Sequence, residues 1–80
     1  MPEPEMDQRV GRAFGAWVRE VRLRKRLTQT SVAERAAVNV SYLSELESGK
    51  HNPTVGLAVR LARALDVKPT QLLARLDEIE

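Results

Sequence analysis

Apolar side chains recur at helical steps along most of the chain. Val10, Phe14, Trp17, Val18 and Val21 share one face and predict a first helix from Asp7, as its cap, to Lys25. Thr28 can cap a second helix, Gln29 to about Ala36, whose Val32, Ala33 and Ala36 fall on one side. The pattern breaks at Ala37-Val38-Asn39, and Asn39 is a good cap for a third helix ending near Glu47. Leu43 and Leu46 form its buried stripe, which turns Val40, Ser41, Ser44 and Glu45 outward; Gly49 suits the position just past its end. Thr54 predicts a fourth helix to about Leu65, with Val55, Ala58, Val59, Leu61, Ala62 and Leu65 inward. After Asp66-Val67-Lys68, Pro69 fits the first turn of a fifth helix carrying Leu72, Leu73, Leu76 and Ile79. The Pro- and Glu-bearing segment 1–6 is expected to be a disordered tail, leaving 7–80 as the folded unit. The fold class expected is all-α, with five helices.

The stretch from Leu27 to Gly49, LTQTSVAERAAVNVSYLSELESG, is the most informative. Its Leu27-Thr28-Gln29, Ala33, Ala36-Ala37, Tyr42-Leu43-Ser44, Glu47 and Gly49 resemble the helix-turn-helix of the Cro/C1-type (XRE) regulators. Asn52-Pro53-Thr54 and Ala62-Arg63-Ala64-Leu65-Asp66-Val67 extend the resemblance, which covers about Phe14 to Leu73. It implies a lambda-repressor-like DNA-binding domain with a central helix-turn-helix. The chain departs from the family pattern at Arg26, where glycine is common, at Ser31, where glutamate would complete a capping box, and at Leu57, often polar in relatives.

The resemblance also implies roles for particular residues. In similar repressors an arginine at the place of Arg22 pairs with the glutamate matching Glu47, which ties the first helix to the recognition helix. Gln29 resembles a glutamine that bridges phosphate and that helix. The N-terminal part of the recognition helix would enter the major groove. There Ser41 and Ser44 can exchange hydrogen bonds with base edges, Val40 can touch a thymine methyl, and Glu45 can accept from a cytosine amino group. An internal pair with Arg35 is an equal alternative for Glu45. No Arg or Gln stands among these positions, so specificity can lean on DNA shape or on arginines elsewhere. Phosphate contacts are expected from Thr28, Gln29, Tyr42, Lys50, His51 and Asn52, with Arg24 and Lys25 as further candidates. Basic residues at the end of the first helix would also complement its dipole.

Charge adds to this picture. The net charge of +2 is unevenly spread: residues 9–76 hold all 13 Lys and Arg but only five acids, a surplus of eight. Such a body attracts polyanions, nucleic acid above all, although a basic surface can also be merely solvated. The chain has no cysteine, so neither disulfides nor thiolate metal sites are expected. His51, the single histidine, has no second ligand at metal spacing and no adjacent nucleophile; no catalytic residue, metal or cofactor is expected. With no apolar run of membrane length and no signal-peptide pattern, a soluble cytoplasmic protein is expected. Trp17 and Phe14 belong with the core rather than with a base-stacking platform.

The expectation is a dimeric, sequence-specific DNA-binding transcriptional regulator of controller or repressor type, reading a palindromic operator. Leu57, Leu76 and Ile79 form an apolar surplus suited to a homodimer interface. The alternative is an antitoxin or protein-interaction module that kept the fold, with DNA binding secondary or lost.

Overall fold

The computed structural model describes residues 4–77, which form α1 (Pro4–Arg24), α2 (Gln29–Ala36), α3 (Val40–Glu47), α4 (Val55–Ala64) and α5 (Pro69–Leu76). Helix α1 begins at Pro4, so Asp7 sits in its first turn instead of capping it, and Pro4 to Met6 belong to the helix rather than to a tail. Proline at a helix start loses nothing, because the first N–H groups have no intrahelical partner. Residues 1–3 of the expected tail lie outside the described residues. The caps of the next three helices follow from their side chains. Thr28 Oγ1 accepts from the Ser31 amide at 3.0 Å, Asn39 Oδ1 from Ser41 at 2.7 Å, and Thr54 Oγ1 from Leu57 at 3.1 Å. At α5 the Gln71 carboxamide reaches back to accept from the Lys68 amide at 2.9 Å.

Four of the helices end in the same way. The amides of Arg26, Ala37, Gly49 and Asp66 donate three residues back, and those of Leu27, Val38, Lys50 and Val67 donate five residues back. This paired closure satisfies carbonyls that the helix leaves open, and it requires a left-handed residue just past the end. Gly49 meets that requirement at no steric cost, at φ 84°, whereas Arg26, Ala37 and Asp66 hold φ between 56° and 58° against the usual preference. Leu27, Val38 and Val67, the residues that follow the three non-glycine turns, pack against the core. That contact offsets the backbone cost of each turn. After Gly49 the equivalent residue is Lys50, which is exposed.

The core centres on Phe14, Val18, Val32, Leu43, Leu46, Leu61 and Leu65, all essentially removed from solvent. Trp17 is buried beside Phe14, their rings 6.2 Å apart and tilted by 36°. Helix α2 packs on α4, α1 lies against both α3 and α5, and the helix-turn-helix pair α2–α3 closes the remaining side. An ion pair from Arg75 Nη2 to Glu20 Oε2, at 2.8 Å, joins α5 to α1 on the surface.

Helix α4 buries Leu61, Ala62 and Leu65 and packs Ala58 against the core as expected, but its first turn departs from the expectation. Leu57 is 5% exposed and belongs to the core, so it is unavailable as a dimer contact, while Val55, expected inward, is 83% exposed. With apolar residues around much of VGLAVRLARA, the facing of α4 is set by Leu57, Leu61 and Ala64, which meet the core. Leu76 is half-buried and, with Val10, Val55, Val59, Pro69 and Leu72, lines an open apolar groove of about 180 Å³. Ile79, and the side chain of Leu73, lie outside what is described.

Helix α1 approaches the end of α3 through two glycines one turn apart. A Cβ on Gly15 would overlap the Leu46 carbonyl oxygen, and one on Gly11 would come within 2.8 Å of Asn52 Oδ1. Because the Gly15 obstacle is backbone, no side-chain rotation can relieve it. Gly15→Ala is therefore expected to force α1 and α3 apart and lower stability by about 1–3 kcal/mol, measurable by urea unfolding.

Candidate nucleic-acid interface

The carboxylate of Glu47 is the fixed point of the site. Its Oε2 accepts from Arg22 Nε at 2.7 Å, and its Oε1 accepts from Arg22 Nη2 at 3.0 Å and Gln29 Nε2 at 3.1 Å. Arg22 Nη1 donates further, to the Leu27 carbonyl at 3.0 Å. The side chains of Arg22 and Glu47 are only 10% and 3% exposed, so a bidentate, nearly desolvated pair ties α1 to the last turn of α3. Gln29 adds the start of α2 to the same carboxylate, and the Leu27 carbonyl adds the α1–α2 turn. Three helices are thus held by one acidic group, with none of its buried polar atoms left unsatisfied. Gln29 turns its amide nitrogen toward the recognition helix.

With Leu43, Leu46 and Glu47 inward, Val40, Ser41, Ser44 and Glu45 are exposed. Glu45 is not paired with Arg35. Arg35 Nη1 reaches the Ala64 carbonyl at the end of α4, at 3.5 Å, while Glu45 Oε1 lies 2.8 Å from His51 Nε2. The His51 ring in turn stacks on Tyr42, centroids 4.7 Å apart and planes 20° from parallel. The hydrogen bond from His51 holds the Glu45 carboxyl below the usual glutamate range; desolvation opposes this, and the charges of His51 and Lys50 reinforce it.

Of the other expected residues, Lys50 and Asn52 are exposed in the loop after Gly49, and Thr28 is exposed as the cap of α2. Arg24 is exposed as well, but Lys25 Nζ donates to the Asp66 carbonyl at 3.0 Å, which holds it at the α4–α5 turn. Arg19 was missed by sequence reasoning. It lines one polar crevice with Gln29, Ser44, Glu47 and Ser48, beside the outward face of α3. The signal was present in its spacing: Arg19 stands three residues before Arg22 and so shares a helix face with it.

The helix-turn-helix family model matches residues 18–72, which is more than half of the chain. The chain belongs to the helix-turn-helix family, in its Cro/C1 form. It is 40% identical to y4dJ, an HTH-type transcriptional regulator of Sinorhizobium fredii, over 92% of this chain and 91% of that protein. The crystal structure of ClgR, the clp gene regulator of Corynebacterium glutamicum, superposes with a TM-score of 0.79 at 31% identity, covering 85% of this chain and 88% of that one. The restriction–modification controller C.AhdI of Aeromonas hydrophila superposes with a TM-score of 0.71 at 30% identity, over 88% and 98% of the two chains. Membership makes the protein a DNA-binding regulator and not an enzyme.

Within a helix-turn-helix domain, the Glu47 node has a definite task. Helix α3 is only eight residues long and exposes one side, so its attitude depends on its anchored side. Removing either partner strands the other as a buried charge. Arg22→Ala and Glu47→Ala should each destabilise by about 3–5 kcal/mol, while the double variant loses much less than their sum. A double-mutant cycle from denaturant unfolding measures that coupling; additive losses would rule it out.

Proposed function

We propose that the protein regulates transcription as a dimer on a palindromic operator, with α3 of each protomer in the major groove. Half-sites would lie one helical turn, about 34 Å, apart. The observation that carries this reading is the Glu47 node. It fixes the inner side of α3 rigidly and leaves Val40, Ser41, Ser44 and Glu45 pointing outward. Lys50, Asn52, Thr28 and Arg19 flank that face and supply the positive or hydrogen-bonding rim that phosphates need. In this arrangement Gln29 gives one Nε2 hydrogen to Glu47 and has a second to offer a phosphate, at the start of α2 beside its cap. Tyr42 and His51 meet the backbone at the α3–α4 loop. Arg24 and Lys25 are peripheral phosphate contacts, Lys25 the weaker because one of its donors is given to the Asp66 carbonyl. The role is of controller or repressor type.

Dimerisation is assigned to the apolar groove between α1, the start of α4, and α5. Val55 is its natural anchor, because a valine this exposed contributes nothing to the isolated fold. Leu76 continues the same surface.

Two experiments test these assignments. Lys50→Ala should weaken operator and random DNA alike and lower the salt slope by roughly 1, whereas Ser41→Ala and Ser44→Ala should erode operator preference by up to about 1–3 kcal/mol per contacted base with the slope nearly unchanged. Competition binding across a salt series separates the two behaviours. If the serine variants keep full operator preference, direct readout by α3 is wrong. Val55→Glu should leave thermal stability within about 0.5 kcal/mol, as expected at an exposed site, while shifting sedimentation from dimer to monomer. A wild type that stays monomeric both free and on DNA removes the dimer.

A further inference from the structure

Glu45 and His51 form a pair that the readout of bases does not by itself require. Glu45 stands on the outward face of α3, where an uncompensated carboxylate would repel approaching phosphates. His51 lies six residues on, beyond the Gly49 turn, and its Nε2 is 2.8 Å from Glu45 Oε1. Stacking on Tyr42 supports the imidazole plane from one side. The surrounding charges are few. Glu45 and Tyr42 face the ring from α3, Lys50 adjoins it in the loop, and Asp7 of α1 lines the same cleft. Arg12 of α1 packs against Gly49.

The chemistry of this contact narrows its protonation states. The Glu45 carboxyl is held below its usual range and is ionised at neutral pH, so it can only accept. His51 Nε2 must then carry the hydrogen. Two forms satisfy that condition: the neutral imidazole with its hydrogen on Nε2, and the imidazolium with hydrogen on both nitrogens. They share one geometry and differ by one unit of charge at the face that meets DNA.

We propose that His51 is a positioning residue that holds the Glu45 carboxylate for base readout and couples DNA binding to the uptake of one proton. This rests on the assignment of α3 as the recognition helix. In both protonation forms the Nε2–H pins Oε1, leaving Oε2 as the oxygen available to a cytosine amino group. In the imidazolium form the charge of Glu45 is cancelled where phosphates approach. DNA favours the imidazolium, because its own charge is negative. The protein therefore takes up a proton on binding, and affinity rises as pH falls, by at most about tenfold per pH unit for one proton.

The test has two arms on the full chain. In the first, the ionisation of the Glu45 carboxyl is followed by NMR without DNA. His51→Ala should move its midpoint upward toward ordinary glutamate, and His51→Gln, whose amide still donates, should move it less. An unmoved midpoint in His51→Ala overturns the inference whatever the protein does with DNA. In the second arm, binding to a fluorescent random-sequence duplex is measured from about pH 8 to about pH 6. Wild type should tighten several-fold across this range and His51→Gln should stay flat. Glu45→Gln, a second variant that removes the charge outright, should bind at the upper pH nearly as wild type does at the lower. Thermal melts confirm that each variant is folded. A His51→Gln profile that follows wild type overturns the coupling while leaving DNA binding by α3 intact. A wild type that binds no duplex at any pH overturns the DNA reading itself, and the coupling with it.

Discussion

A buried carboxylate on an eight-residue helix is a costly thing to keep, since withdrawing a charge from water is repaid only by good geometry and full hydrogen bonding. Glu47 has both: two bonds from one guanidinium and a third from Gln29. An apolar contact of the same volume could stabilise as much, but it would let α3 roll and slide. A planar fork meeting a planar carboxylate permits neither motion. Since Arg22 is near the end of α1, Gln29 opens α2 and Glu47 closes α3, the orientation of three helices is set by one set of bonds. Gly15 works to the same end on the adjoining turn, where the absence of a side chain lets α1 lie directly on the Leu46 carbonyl.

The turns between helices show how a short chain keeps such a frame compact. Each uses the same hydrogen-bonded closure, and only Gly49 is the residue type that closure prefers. At Arg26, Ala37 and Asp66 the left-handed backbone is held by a neighbouring apolar residue that docks onto the core. Where glycine removes the strain, that docking is not needed, and the following position is free to be a lysine at the surface. The one relaxed turn is thus the one beside the exposed face of α3.

Much of this was legible in the residues. Thr28, Asn39 and Thr54 announce helix starts because their short oxygens satisfy amides that nothing else can reach, and the Arg22–Glu47 pair follows from family resemblance. The start of α1 was misplaced because prolines and acids suggest a tail, yet they are equally at home in a helix's first turn. Most of the inward side of α4 was expected, but its first turn escaped because Val55 and Leu57 are both apolar and only the packing partners choose between them. Leu57 went in and Val55 out. Arg35, Lys25 and His51 share a different difficulty. Each is a long or mobile side chain whose partner is fixed by tertiary geometry: an α4 carbonyl for Arg35, the Asp66 carbonyl for Lys25, and Glu45 for His51.

The division of α3 into an anchored side and an exposed side also bears on how such a protein changes over generations. Leu43, Leu46 and Glu47 are committed to the interior, whereas Val40, Ser41 and Ser44 touch little of it. Substitutions on the outer side are nearly neutral for folding, so they can accumulate without passing through poorly folded intermediates. Selection on the scaffold and selection on the outer side act on different atoms of the same two turns of helix. A lineage can wander among targets while its architecture stands still.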